Sequence, residues 1–342
     1  MEFMNKSDII QLAQKVNDYW LSRNPDVRDC GWERGAYMIG NIEAYKITRK
    51  KEYLDYALRW ADNNEWRFYN DAEYKNTHAD SHICGQSYLQ LMDIVPGCGT
   101  DEHIIKSAEF TLSDSRNDYW WWIDAIYMAL PLYTKMGIKY NDERYFEKAH
   151  KLFMNIKKER TCYDEIENLW FRDERYLPEK ETTANGKKVF WSRGNGWVFA
   201  GIARALSIMP ENHKYFKEYS EVFKNMASSL CKLQRDSGGY TTSLLAPEDF
   251  EQCESSGTAL ITLGYLMGVR MGILGKEYLE VAMKGFEWLN REALDENGRL
   301  GFVQLVAKAP GPVDKNGEND YAVGTYLLIL KELYELSETV TG

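Results

Sequence analysis

The run YWWWIDAIYMALPLY, residues 119–133, places one carboxylate, Asp124, among aromatic and aliphatic side chains. An unpaired charge in such surroundings is costly, so the group either has a partner or holds its proton. On a helix, the neighbours of Asp124 three and four positions away are Trp121, Tyr127 and Met128. Such company raises a carboxyl pKa and leaves the group able to donate a proton near neutral pH. The plainer alternative is a core aspartate satisfied by hydrogen bonds.

Other residues with chemical potential stand at five further places. Trp32, Arg34 and Tyr37 lie in CGWERGAYMIG; His78, Asp80 and His82 in THADSHICGQSYL. Trp191, Arg193, Asn195 and Trp197 lie in FWSRGNGWVFAG, Glu254 and Ser256 in CESSGTALITLG, and Asp320 and Tyr321 in NDYAVGTYLLIL. Polar and aromatic groups from separated segments make a credible site: carboxylates suit acid–base work, and flat aromatic faces can stack on a sugar ring. Each has a structural alternative. Asp80 suits a helix N-cap, Arg193 an internal ion pair, and the tryptophans a core. His78 and His82 share a helical face without the glutamate of a zinc-protease motif. The RGNGW glycines lack the Lys-Ser/Thr of a phosphate loop. No metal and no cofactor is expected.

The elements that must position these residues are helical. Apolar residues recur at three- and four-residue spacing through 7–22, 33–47, 51–66, 79–94, 102–113, 120–136, 143–158, 192–208, 213–234, 255–272, 276–292 and 320–337. Segments rich in glycine, small residues and aromatics alternate with segments carrying one apolar stripe and one charged face. The first kind is buried all round and the second covers it from outside. Six inner and six outer helices in alternation describe an all-α, (α/α)6 barrel. The inner openings fall near 32, 80, 124, 195, 256 and 322, too unevenly for a solenoid of fixed period. Short strand-like pieces at 168–173, 239–245 and 298–306 suit hairpins in the connections. No Ser/Pro-rich linker divides residues 1–342, which read as one domain. In such a barrel one rim gathers all six inner-helix N-termini, whose free N–H groups favour an anion.

A formal charge of −10 argues against nucleic acid and anionic membranes as partners. No stretch reaches the ~20 apolar residues of a membrane helix. Six scattered cysteines read as free thiols. The start, MEFMNKSDIIQLAQKVNDYW, goes straight into an amphipathic helix without a signal peptide. Cytoplasm is the expectation, or periplasm for a chain whose leader has been removed. Composition leaves monomer and homodimer open.

The stretches ADSHICGQSYLQL, YWWWIDAIYMALPLYTKM and FWSRGNGWVFAGIARAL resemble the unsaturated glucuronyl and galacturonyl hydrolases, glycoside hydrolase families 88 and 105, with the unsaturated rhamnogalacturonyl hydrolases of family 105 the closer match. The resemblance implies an (α/α)6 barrel acting on small oligosaccharides that a polysaccharide lyase leaves with an unsaturated uronic acid at the non-reducing end. It implies hydration of the C4=C5 enol ether rather than attack at the anomeric carbon. By the same resemblance Asp124 is the acid/base and Asp80 the second aspartate, while Trp191, Arg193, Asn195 and Trp197 line the uronate pocket with Tyr37, His82, Trp121 and Ser256 as further binding residues. Relatives often carry ADD where this chain has ADSH, and LWFRDERY holds no histidine for the uronate. Two rivals stand beside this reading. One is an inverting glycosidase using Asp124 and Asp80, with Glu254 as a further carboxylate; the other is a non-catalytic carbohydrate-binding protein.

Overall fold

A computed structural model describes residues 4–340. The outer helices are Lys6–Arg23, Lys51–Asn63, Glu102–Ser113, Glu143–Met154, Phe216–Leu233 and Glu277–Trp288. The inner helices are Trp32–Thr48, Ala79–His82 continuing through Ile83 into Cys84–Ile94, Ala125–Lys139, Ser192–Leu206, Ser255–Arg270 and Asp320–Val340. This is the (α/α)6 barrel read from the alternation. The two kinds bury differently. Glu143–Met154 buries Tyr145, Phe146, Lys148, Ala149, Leu152 and Phe153, one stripe at helical spacing. Ser255–Arg270 buries every residue from Ser255 to Gly268.

Small residues let the inner helices meet closely. A β-carbon on Gly40 would lie 2.1 Å from the carbonyl oxygen of Gly324, so the first and last inner helices touch backbone to backbone and close the ring. Pro131 sits inside the Ala125–Lys139 helix and has no N–H for the carbonyl of Tyr127, four residues earlier. Gln86 from the neighbouring inner helix supplies the missing donor: its Nε2 lies 3.0 Å from Tyr127 O and 2.9 Å from Met128 O. The helix therefore runs on to Lys139.

Two of the three strand-like pieces form minimal antiparallel ladders. Tyr163–Asp164 pairs with Leu169–Trp170, and Tyr240–Thr241 with Cys253–Glu254. The third, 298–306, does not. Leu300 makes an isolated bridge to Leu294, after which the chain turns through Phe302, whose φ is +54°, and reaches the cavity at Val306 and Ala307. Its donors and acceptors are taken by neighbours: Ser255 N donates to Phe302 O at 2.8 Å and Val303 N to Gly317 O at 3.0 Å. All six cysteines are free, and no helix of the described residues is long and apolar enough to cross a membrane.

Candidate active site

A cavity of about 180 Å³ opens at the mouth where the inner helices begin. Trp32, Trp191 and Trp197 form its aromatic wall, and Asp80, Asp124, Arg172 and Arg193 supply its charge. Trp122, Met128, Val306 and Ala307 complete it. That volume lies below the ~300–1,000 Å³ of pockets for larger ligands, so it suits one sugar ring rather than an oligosaccharide. A larger cavity of about 450 Å³ lies at the opposite mouth. Its acids are already paired with its bases there: Lys46 with Glu43, Lys135 with Asp93, and Lys331 with Glu332.

Asp124 is not inside its helix but caps it. Periodicity suggested a helix from 120, yet Ile123 N donates to Arg172 O at 3.0 Å, which ties 119–124 to the neighbouring hairpin. The helix starts at Ala125, and Asp124 O accepts from Tyr127 N (3.0 Å) and Met128 N (3.2 Å). The carboxyl itself accepts no capping bond, so it is free for other work. Its Oδ1 is buried without a partner, and Oδ2 lies 4.0 Å from Arg172 Nε. Burial raises its pKa above the ordinary aspartate value, opposed by the charges of Arg172 and Arg193.

Asp80 stands in the first turn of Ala79–His82 and does not act as an N-cap. Burial, and then the charge of Asp124, push its carboxyl up to about 7, with Arg172 pulling the other way. Two carboxyl groups that feel each other in one small cavity cannot both ionise cheaply; one holds a proton near neutral pH. His78 reaches towards this pair, its Nδ1 3.9 Å from Asp80 Oδ2 and its ring stacked on Trp122.

The element WSRGNGW splits into wall and scaffold. Trp191 and Trp197 line the cavity, and Trp191 Nε1 is fixed on Gln304 Oε1 at 2.7 Å. Asn195 does not face the cavity. It brackets the backbone of Trp170, donating to Trp170 O at 3.0 Å and accepting from Trp170 N at 2.8 Å, and so pins the hairpin that carries Arg172. Arg193 was expected to present a free bidentate fork. Its Nη1 donates to Gln304 O and to Tyr321 Oη (3.0 Å), and its Nη2 to Leu305 O (3.0 Å). It anchors the 304–305 loop over the mouth while lending the cavity its charge. Ser256 Oγ lies 3.4 Å from Arg193 Nη1 and donates to Glu254 Oε2 at 2.7 Å. Glu254 is fully spent as an N-cap, accepting from Ser256 N (2.7 Å), Gly257 N and Ser192 Oγ (3.2 Å).

Like Asn195 and Ser256, the expected binding residues Tyr37 and His82 do not line the cavity. Tyr37 is fully buried between helices, its hydroxyl donating to Asn17 Oδ1 at 2.8 Å. His82 is fully buried too, with Nε2 2.6 Å from Asn76 O and its ring against Phe68. The histidine pair imagined at helical spacing therefore diverges, because the short Ala79 helix sends His78 to the mouth and His82 into the core. Trp121 is 38% exposed on the rim, with Arg172 and Arg175 stacked over its ring. Arg172 escaped the sequence reading altogether. A cation set within the aromatic strand LWFRD was the available signal.

The profile of Glycosyl Hydrolase Family 88 matches residues 6–337. The chain belongs to glycosyl hydrolase family 88. An unsaturated 3S-rhamnoglycuronyl hydrolase of Formosa agariphila is 32% identical over 326 residues, covering 90% of this chain and 85% of that protein. A glycosyl hydrolase family 88 protein from Bacteroides vulgatus superposes with a TM-score of 0.92 at 32% identity, over 97% of this chain and 99% of that one. A solved structure described as a polysaccharide lyase is similar at 34% identity and a TM-score of 0.92, over 98% of each chain.

Proposed function

We propose that this chain removes an unsaturated 4-deoxy-4,5-ene uronic acid from the non-reducing end of a lyase-generated oligosaccharide by hydrating the C4=C5 bond. The similarity to a rhamnoglycuronyl hydrolase favours rhamnose as the adjoining sugar. The described chain serves as a single catalytic domain. One observation carries the reading: Asp124 is a buried carboxyl raised above its ordinary range and with no capping duty, facing a one-ring cavity shared with a second raised carboxyl, Asp80.

The chemistry follows from those two groups. Asp124 as the acid gives its proton to C4, and the enol-ether electrons leave positive charge on C5 and the ring oxygen. Asp80 holds the sugar hydroxyls and the water. That water adds its oxygen to C5 and returns a proton to the Asp124 carboxylate. The hemiketal opens by breaking the bond from C5 to the ring oxygen, leaving a C5 ketone and a C1 hemiacetal that expels the next sugar. One water is consumed and Asp124 ends as it began. The three tryptophans stack on the ring, and Arg193 with the inner-helix N-termini favours its carboxylate.

The inverting-glycosidase reading loses its further carboxylate, because both oxygens of Glu254 are taken by Ser256, Gly257 and Ser192 at the helix N-terminus. A spectrophotometric assay separates the remaining possibilities. Incubation with an unsaturated glucuronyl-rhamnose disaccharide should abolish the ultraviolet absorbance of the conjugated double bond. A lyase acting on a saturated polymer would create that absorbance, and a glycosidase would release rhamnose before the absorbance falls, because the freed unsaturated uronic acid must first open and ketonise.

A further inference from the structure

Arg172 is held unusually well for a side chain two residues beyond a two-residue ladder. Asn195 clamps Trp170 from both sides, Arg172 O takes the N–H of Ile123, and Arg172 Nη1 donates to Asp173 Oδ2 at 2.6 Å. Trp121 covers the guanidinium at 5.3 Å. The result is a cation only 13% exposed at the cavity wall, its Nε 4.0 Å from Asp124 Oδ2. This is a gap, not a hydrogen bond: charge-assisted N–H···O contacts run at ~2.7–2.9 Å. Both Arg172 Nε and Asp124 Oδ1 are buried without partners.

We propose that Arg172 is the positioning residue for Asp124, standing off the protonated acid and closing onto the carboxylate that remains once the proton has gone to C4. The inference rests on the hydration reading. Closure needs a movement of about 1 Å to reach hydrogen-bond distance, and the bond that forms holds Asp124 ionised until water returns the proton. The step moves no electrons; the N–H stays on Arg172 throughout. Other charged or titratable groups stand around Asp124: Asp80 from the Ala79 turn with His78 beside it, Asp173 next to Arg172, and Arg193 from the Ser192 helix, which donates to Tyr321 of the last inner helix. Arg193 is committed to the 304–305 carbonyls and Asp173 is shared with Arg175, so Arg172 is the cation with a donor left for Asp124.

The test is the pH dependence of kcat/KM in Arg172→Met, Arg172→Gln and Arg175→Met, together with carbon-13 titration of the Asp124 carboxyl, assigned with Asp124→Asn. An opposite charge at this range lowers a carboxyl pKa by ~1–3 units. Loss of Arg172 should therefore move the alkaline limb, and the Asp124 resonance, upward by about 1 unit or more. Arg172→Gln, which keeps a donor for Asp173, should shift the same way; Arg175→Met, which also loses a stacked guanidinium and an Asp173 bond, should leave both unmoved. An unmoved limb and resonance without Arg172, or an equal shift in Arg175→Met, would overturn the proposal. A wild-type protein that leaves the double bond intact would instead sink the hydration reading, while the resonance would still report on Arg172.

Discussion

Replacing Glu254 by glutamine separates a helix cap from a catalyst. The carboxylate accepts four hydrogen bonds, from Ser256 N and Oγ, Gly257 N and Ser192 Oγ, and is fully buried. An amide of the same shape keeps one oxygen and turns an NH2 towards donors. The serine hydroxyls can rotate to accept from it, but a backbone N–H cannot, so one buried N–H loses its partner. That costs about 1–3 kcal/mol. Loss of the anion at the N-terminus of the Ser255–Arg270 helix adds ~0.3–1 kcal/mol, and relief of a buried charge offsets part of the sum. A net loss of about 1–3 kcal/mol should appear in urea denaturation followed by circular dichroism. Turnover should stay within about tenfold of wild type, well short of the ~100-fold or greater loss of a general acid or base. An unchanged stability with activity lost 100-fold or more would refute this reasoning and restore Glu254 as a reacting carboxylate.

Asp80 gives a stability signature with a definite sign. Its folded pKa of about 7 lies above the ordinary 3.8, so between those values the folded chain holds a proton that the unfolded chain has released. Wild-type stability from this group is present below that window and lost as pH rises through it. Asp80→Asn should stabilise the protein more at about pH 8 than at about pH 4, and an equal effect at both in thermal melts would refute the assignment. Gln86→Leu strips the donor from Tyr127 O above Pro131, so it should cost about 1–3 kcal/mol by denaturant titration; a neutral effect would mean the carbonyl finds another partner. Among the described residues no three His, Cys, Asp or Glu converge as a metal site. Activity should therefore survive exhaustive EDTA dialysis, and loss restored by one divalent metal would contradict the mechanism given to Asp124.

The barrel was legible because burial on all sides and burial on one side leave different residue patterns, and these alternate along the chain. Local boundaries were less so. The aromatic run before Asp124 has helical spacing, but a tertiary hydrogen bond from Ile123 to Arg172 unwinds it, and no local pattern reveals that. GRLGFVQLV has strand composition yet accepts single bonds from Ser255 and Arg193 and donates to Lys315 O and Gly317 O instead of forming a ladder, because these neighbours present isolated groups rather than an edge. Within the site, Asp124, Asp80, Trp191 and Trp197 were read from types and motifs and do share one cavity. Tyr37 and His82 were misplaced by proximity in sequence, since one helical turn decides whether a side chain meets the mouth or the core. Arg172 was missed because its importance lies in a contact across 48 positions that only the fold creates.

The central claim is that Asp124 protonates C4 and water adds at C5. It is tested most directly by running the reaction on the unsaturated disaccharide in heavy water and in oxygen-18 water, with wild type and Asp124→Asn, and locating the label by mass spectrometry and NMR. The account predicts deuterium at C4, oxygen-18 at C5 and none at C1, with Asp124→Asn at least about 100-fold slower in label uptake. Oxygen-18 at C1 and none at C5 in the first-formed product, or label uptake undiminished in Asp124→Asn, would contradict it.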